Sequence, residues 1–154
     1  MIRVYGGRER ELHEGERVLV GDRLWFEFVN HSRFEIPRLY INVIERGVAG
    51  RLAVLNHGHQ PAGLELPAQG GSRRMYWREG AIAGRAQTWP AQVPDHEPRT
   101  VTLSFIASVL PLDLRSLAGV AGQGSVIPRD SDEPTGEAPG FCWSYRRLSF
   151  TLCP

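Results

Sequence analysis

Hydrophobic positions along the chain recur with a period of two, the spacing at which successive side chains of an extended strand fall on opposite faces. Over 23–30, Leu24, Phe26 and Phe28 share one face while Trp25, Glu27 and Val29 share the other. Over 38–46, Leu39, Ile41 and Val43 form the core-facing set and Tyr40, Asn42 and Ile44 the opposite one. The alternation is cleanest over 99–108. There Val101, Leu103 and Phe105 are separated by Thr100, Thr102 and Ser104, a largely β-branched polar set suited to an outer sheet face. Leu148, Phe150 and Leu152 repeat the pattern near the end, with Arg147, Ser149 and Thr151 between them. Shorter extended candidates occupy 2–5, 17–20, 50–55, 63–66 and 72–78. Turn chemistry separates the segments at Val20-Gly21-Asp22, Asn30-His31-Ser32, 47–50 and Gln69-Gly70-Gly71.

About eight short strands at near-regular spacing, each with one apolar face, predict an all-β fold. The expected architecture is an antiparallel β-sandwich, immunoglobulin-like or jelly-roll-like. One short helix is predicted after Pro111, where Asp113 sits early and Leu114 and Leu117 share a face. A chain of 154 residues can bury a core without metal or disulfide staples, so 1–154 reads as a single domain. Between 119 and 140 the composition shifts to Gly, Pro, Ser and acids, which predicts a flexible loop.

Composition narrows the function classes. A hydrophobic content of 42% and a charged content of 23% are ordinary for globular proteins and argue against wholesale disorder. A net charge of +1 supplies no field to gather nucleic acid or anionic lipid. Every basic residue is Arg, and the arginines are scattered, as a base-composition bias in the coding DNA would leave them. With no signal-peptide core and no apolar run approaching the roughly 18 residues of a membrane span, a cytoplasmic protein is expected. Cys142 and Cys153 flank the last extended segment, about 36 Å apart at strand rise, and are expected to be free thiols.

Candidate chemistry is sparse. His57 and His59, at i and i+2, are weak metal candidates, since catalytic zinc takes three protein ligands and structural zinc four. His13, His31 and His96 stand isolated, and neither cysteine lies in a Cys-x-x-Cys pair, so His57 and His59 read as a polar turn and no cofactor is expected. There is no Gly-x-Ser-x-Gly elbow, and no local base or cation accompanies Cys142. Gly70-Gly71 and 119–124 lack the strand-loop-helix setting of a phosphate loop. Asp130, Asp132, Glu133 and Glu137, interrupted by Pro134, read as a solvated acidic loop rather than a calcium site. No catalytic residue is assigned, and the chain is read as not an enzyme.

The segment Arg73-Arg74-Met75-Tyr76-Trp77-Arg78 interleaves basic and aromatic residues. Read as a strand, it puts Arg74, Tyr76 and Arg78 on one face, weak candidates for contact with a protein partner rather than with nucleic acid. The same reading puts Arg73, Met75 and Trp77 on the other face, with Trp77 in the core. Trp25, Trp77, Trp89 and Trp143 offer the alternative of an aromatic platform for sugars.

Several segments taken in order resemble a known family. Val20-Gly21-Asp22 leads into Leu24-Trp25-Phe26-Glu27-Phe28-Val29-Asn30-His31-Ser32, then Leu39-Tyr40-Ile41-Asn42-Val43-Ile44. Gly47-Val48-Ala49-Gly50, Leu52-Ala53-Val54-Leu55 and Gly63-Leu64-Glu65-Leu66-Pro67-Ala68 follow. Leu103-Ser104-Phe105-Ile106-Ala107-Ser108 runs into Leu112-Asp113-Leu114-Arg115-Ser116-Leu117, and the chain closes on Leu148-Ser149-Phe150-Thr151-Leu152-Cys153-Pro154. This order is similar to the β-sandwich accessory domain that accompanies bacterial caspase-like (clan CD, metacaspase-related) peptidases. The resemblance implies a non-catalytic, protein-binding or regulatory module whose partner is a protein, a caspase-like peptidase domain among the candidates. It carries over no protease residue, because His57, His59 and Cys142 do not stand in the family's catalytic contexts. The alternatives are a metal-dependent jelly-roll enzyme and a small-ligand or carbohydrate-binding module.

Overall fold

Strand alternation buries one face of each segment, and pairing of those faces gives two stacked sheets. The computed structural model of the protein describes residues 1–31, 38–56, 58, 60–67, 70–78, 84–94, 97–118 and 143–154. One sheet contains β1 (Ile2–Tyr5), β2 (Glu9–Glu11), β4 (Arg23–Val29), β8 (Ser72–Met75) and β9 (Arg85–Ala86). The other contains β3 (Arg17–Leu19), β5 (Arg38–Arg46), β6 (Leu52–Val54), β7 (Leu64–Pro67), β10 (Arg99–Ser108) and β11 (Trp143–Cys153). The first runs β2-β1-β4-β8, with β9 also on β4; the second runs β3-β11-β10-β5-β6, with β7 also on β5. Helix among the described residues is confined to a 3-10 turn at Arg115–Leu117. The fold is an all-β sandwich.

Two features depart from the expected pattern. Among the described residues the strands number 11 rather than about eight, because β2 and β9 join the nine segments read from periodicity. Every residue of β2 is exposed and β9 has two residues, so neither carries an alternating signal. Pairing is antiparallel throughout except at β3 and β11, which run parallel with Val18 opposite Leu152.

Val4, Leu24 and Phe26 from the first sheet and Val43, Leu103 and Phe150 from the second meet in one hydrophobic cluster. Phe26 lies 6.0 Å from Phe105, 6.2 Å from Tyr76 and 6.3 Å from Phe28, ring centre to ring centre. Glu45 falls on the same face of β5 as Ile41 and Val43 and is buried. Arg85, on β9 of the facing sheet, reaches it with hydrogen bonds of 2.5 and 3.2 Å, so a bidentate ion pair ties the two sheets together.

Asn42 and Ile44 do lie on the far face of β5, yet both are buried. The Asn42 amide donates to the Leu112 carbonyl at 3.1 Å, bringing the segment after β10 over that face. Asn56 accepts from the Val43 backbone N–H at 3.0 Å and donates to the Asn42 carbonyl oxygen at 2.9 Å. No buried side-chain N or O among the described residues lacks a partner.

Cys153 is a free, buried thiol that accepts from Arg17 Nε at 3.3 Å. Cys142 and the segment 119–140 lie outside the described residues.

Candidate functional site

Both strands at one side of the sandwich are broken in two. Beside β5, Leu52–Val54 pairs with its end and Leu64–Pro67 with its start. Beside β4, Ser72–Met75 pairs with its end and Arg85–Ala86 with its start. The two breaks face each other. Tyr76 ties them, its hydroxyl donating to the Leu55 carbonyl at 2.7 Å.

The second break is set by backbone conformation. Tyr76 has φ 60°, a left-handed geometry that costs a non-glycine residue energy and ends the strand's alternation. Gly84 closes the excursion, its N–H donating to the Tyr76 carbonyl at 2.6 Å. At φ +112°, a Cβ on Gly84 would stand 2.8 Å from the Arg23 Cβ, so only glycine fits there.

That turn corrects the expected face assignment. Met75 is buried in the core, but Tyr76 also turns inward and packs half-buried against it. Trp77 is not a core residue: it is 40% exposed on the outside. Arg74, Tyr76 and Arg78 therefore do not share one face. All three nevertheless line one cavity of about 610 Å³ between the breaks, together with Trp77 and Arg23. Asn56 and Gln60 contribute polar groups from the opposite break, and none of the lining residues among those described is acidic.

Beside the cavity, Arg74 is held over two indoles, its guanidinium carbon 4.8 Å from the Trp77 ring centre and 5.7 Å from that of Trp25. Its Nε donates to Glu27 at 2.8 Å across the β4–β8 pair. Contacts of this kind fix the guanidinium plane and leave its outer edge available for a second acceptor. Arg23 donates to the Gly84 carbonyl at 3.0 Å, while Arg78 is exposed. Sequence does not single out Arg23, which lies 54 residues from Trp77 (77 − 23), and nothing local marks the two as neighbours.

Burial pushes the Tyr76 phenol above its ordinary pKa, with the Arg85 charge opposing and the Glu45 charge adding to the shift. The folded state thus holds this proton more tightly than the unfolded chain, whose phenol titrates near 10. The corresponding stability is complete below about pH 10 and is lost as pH rises through the folded value. Chemical denaturation between pH 9 and 11 (roughly, spanning that window) should show a steeper loss for the native protein than for Tyr76→Phe. At pH 7 the same substitution should cost about 1 kcal/mol, because the Leu55 carbonyl loses its donor.

His57 and His59 lie outside the described residues, and among those described no three His, Cys, Asp or Glu side chains form a metal-sized group. The tryptophans do not share a platform. Trp25 and Trp77 meet through Arg74, Trp89 packs against the core with its Nε1–H on the Val93 carbonyl at 3.0 Å, and Trp143 starts β11. No helix among the described residues is long and apolar enough to cross a membrane. No family model matches the chain, and neither does any curated protein or solved structure.

Proposed function

We propose that the protein is a non-catalytic binding module whose groove between the broken sheet edges docks an acidic, aromatic-bearing segment of a partner protein. The observation that carries this reading is the convergence of Arg23, Arg74 and Arg78 on one cavity, beside the exposed Trp77. Arginine forks match carboxylates bidentately, and Arg, Trp and Tyr are the residues that dominate protein contact energies. The chain's overall charge of +1 leaves long-range steering weak, so recognition rests on this local cluster. A regulatory role beside a bacterial caspase-like peptidase domain in the cytoplasm is the partner context supported by the strand-order resemblance. The free thiol of Cys153 supports a reducing compartment.

Fluorescence anisotropy with labelled peptides rich in Glu, Asp and Tyr tests the groove. Saturable binding is expected, weakened about tenfold or more by Arg78→Glu and by Trp77→Ala. Arg78 is exposed, so Arg78→Glu should leave thermal unfolding unshifted. Trp77→Ala also removes the ring under Arg74 and should lower stability by about 0.5–1 kcal/mol. Absence of binding by the native protein would sink the reading. Preferential binding of a thymidine oligonucleotide would transfer the groove to single-stranded nucleic acid. Co-sedimentation with a caspase-like peptidase domain, reduced by Arg78→Glu, is the expected result for that partner class.

A further inference from the structure

We propose that the open mouth between the two sheets binds a straight-chain monocarboxylate, its apolar tail between the sheets and its headgroup on Arg146. This site lies away from the groove of the broken edges and does not depend on it. The Glu45–Arg85 pair and Tyr76 occupy the space between the sheets near Arg23 and Arg46, the start of β4 and the end of β5. At the opposite end a cavity of about 430 Å³ remains, a size typical of small-ligand sites. Phe28, Ile41, Phe105, Ala107 and Leu148 supply its apolar wall. Phe28 and Phe105, 6.1 Å apart and tilted, are only partly buried, so large aromatic area stays uncovered inside the mouth.

Charge selects the occupant. On β11, Leu148, Phe150 and Leu152 face the core, and the period of two places Arg146 on that same face. Its register partner is Phe105, itself on the inner face of β10. An apolar residue would complete the core there; an exposed arginine instead sets a cation against the apolar wall. Two acids also line the rim: Glu14 accepts from the Ser149 backbone N–H at 2.7 Å, and Glu11 is the register partner of Arg3 in the β1–β2 pair. His13 and Arg147 complete the polar rim. An apolar tail capped by one carboxylate matches both the wall and the cation, since the guanidinium can take both carboxylate oxygens.

The test titrates the isotope-labelled full chain with decanoate, octanoate and decanol below their micellar concentrations, following amide shifts by NMR. Saturable shifts are expected at the amides of Phe105, Ala107 and Leu148. Decanoate should bind on the order of tenfold more tightly than octanoate, because two more methylenes are buried. Decanol should bind about tenfold more weakly than decanoate, and Arg146→Gln should remove that difference. Ala107→Trp, which fills the mouth, should abolish binding of all three. Arg146→Gln changes an exposed side chain, so it keeps the test decisive even if the tryptophan variant misfolds. Decanoate producing no saturable shift at these amides would overturn the site. Equal affinity for decanol, or an unchanged decanoate affinity in Arg146→Gln, would overturn the assignment of the headgroup.

Discussion

Phe26→Ala is expected to lower the free energy of unfolding by about 3–5 kcal/mol. Phe26 is 1% exposed, and its ring sits within 6.3 Å of the rings of Phe28, Phe105 and Tyr76. Truncation removes the buried ring and leaves a cavity bounded by both sheets. Strands held by ladders on both sides cannot collapse to fill it, which places the cost toward the upper part of that range. For a chain of this size the midpoint of thermal unfolding should fall by roughly 10 °C. Val29→Ala is the control on the same strand: Val29 is 42% exposed and should change stability by less than about 0.5 kcal/mol. Urea unfolding of both variants checks the comparison, and near-equal midpoints would mean that Phe26 is not a core residue.

Arg85→Ala should cost about 2–4 kcal/mol, because it leaves the Glu45 carboxylate between the sheets without its cation. The Glu45 side chain is 11% exposed and that of Arg85 36%, so water softens the penalty below that of a fully buried pair. Burial works against the Arg85 charge, yet the hydrogen bond and charge of Glu45 prevail and hold its pKa above the ordinary value. Replacing both partners by apolar residues, Glu45→Leu with Arg85→Met, should recover most of the loss, since no uncompensated charge remains. The decisive readout is the order of midpoints in denaturant. A double variant less stable than Arg85→Ala alone would show that the pair's hydrogen bonds, and not relief of a stranded charge, dominate.

Much of the fold was legible because strand alternation is a local property. The segments 38–46 and 99–108 appear as strands with those same bounds, and Leu24, Phe26, Val101, Leu103 and Phe150 lie in the core as their spacing requires. The segment 72–78 was harder. Its period of two held only to Met75, because the positive φ of Tyr76 turned the next side chain inward and Trp77 outward. A residue type that tolerates that conformation would have flagged the turn; tyrosine does not. The short β2 and β9 left no periodic trace because each exists only by pairing to a neighbour's edge.

The candidate site was half legible. Basic and aromatic residues at 73–78 stand together in the sequence, so Arg74, Tyr76 and Arg78 could be named. Arg23, Asn56 and Gln60 join them only because β4 and the segment after β6 arrive at the same cavity. The inward register of Arg146 was also written in the alternation of β11, where it breaks an apolar series.

By itself the sequence determined the fold class, since an apolar residue at every second position can be buried only by extended segments pairing into sheets. Tertiary structure decided which outer faces stay dry and which charges meet. Asn42 is buried because Leu112 is brought over it from 70 residues away, and Glu45 is tolerated inside because Arg85 crosses from the facing sheet. Those outcomes depend on contacts between segments distant in the chain, and periodicity within one segment carries no information about its distant neighbours.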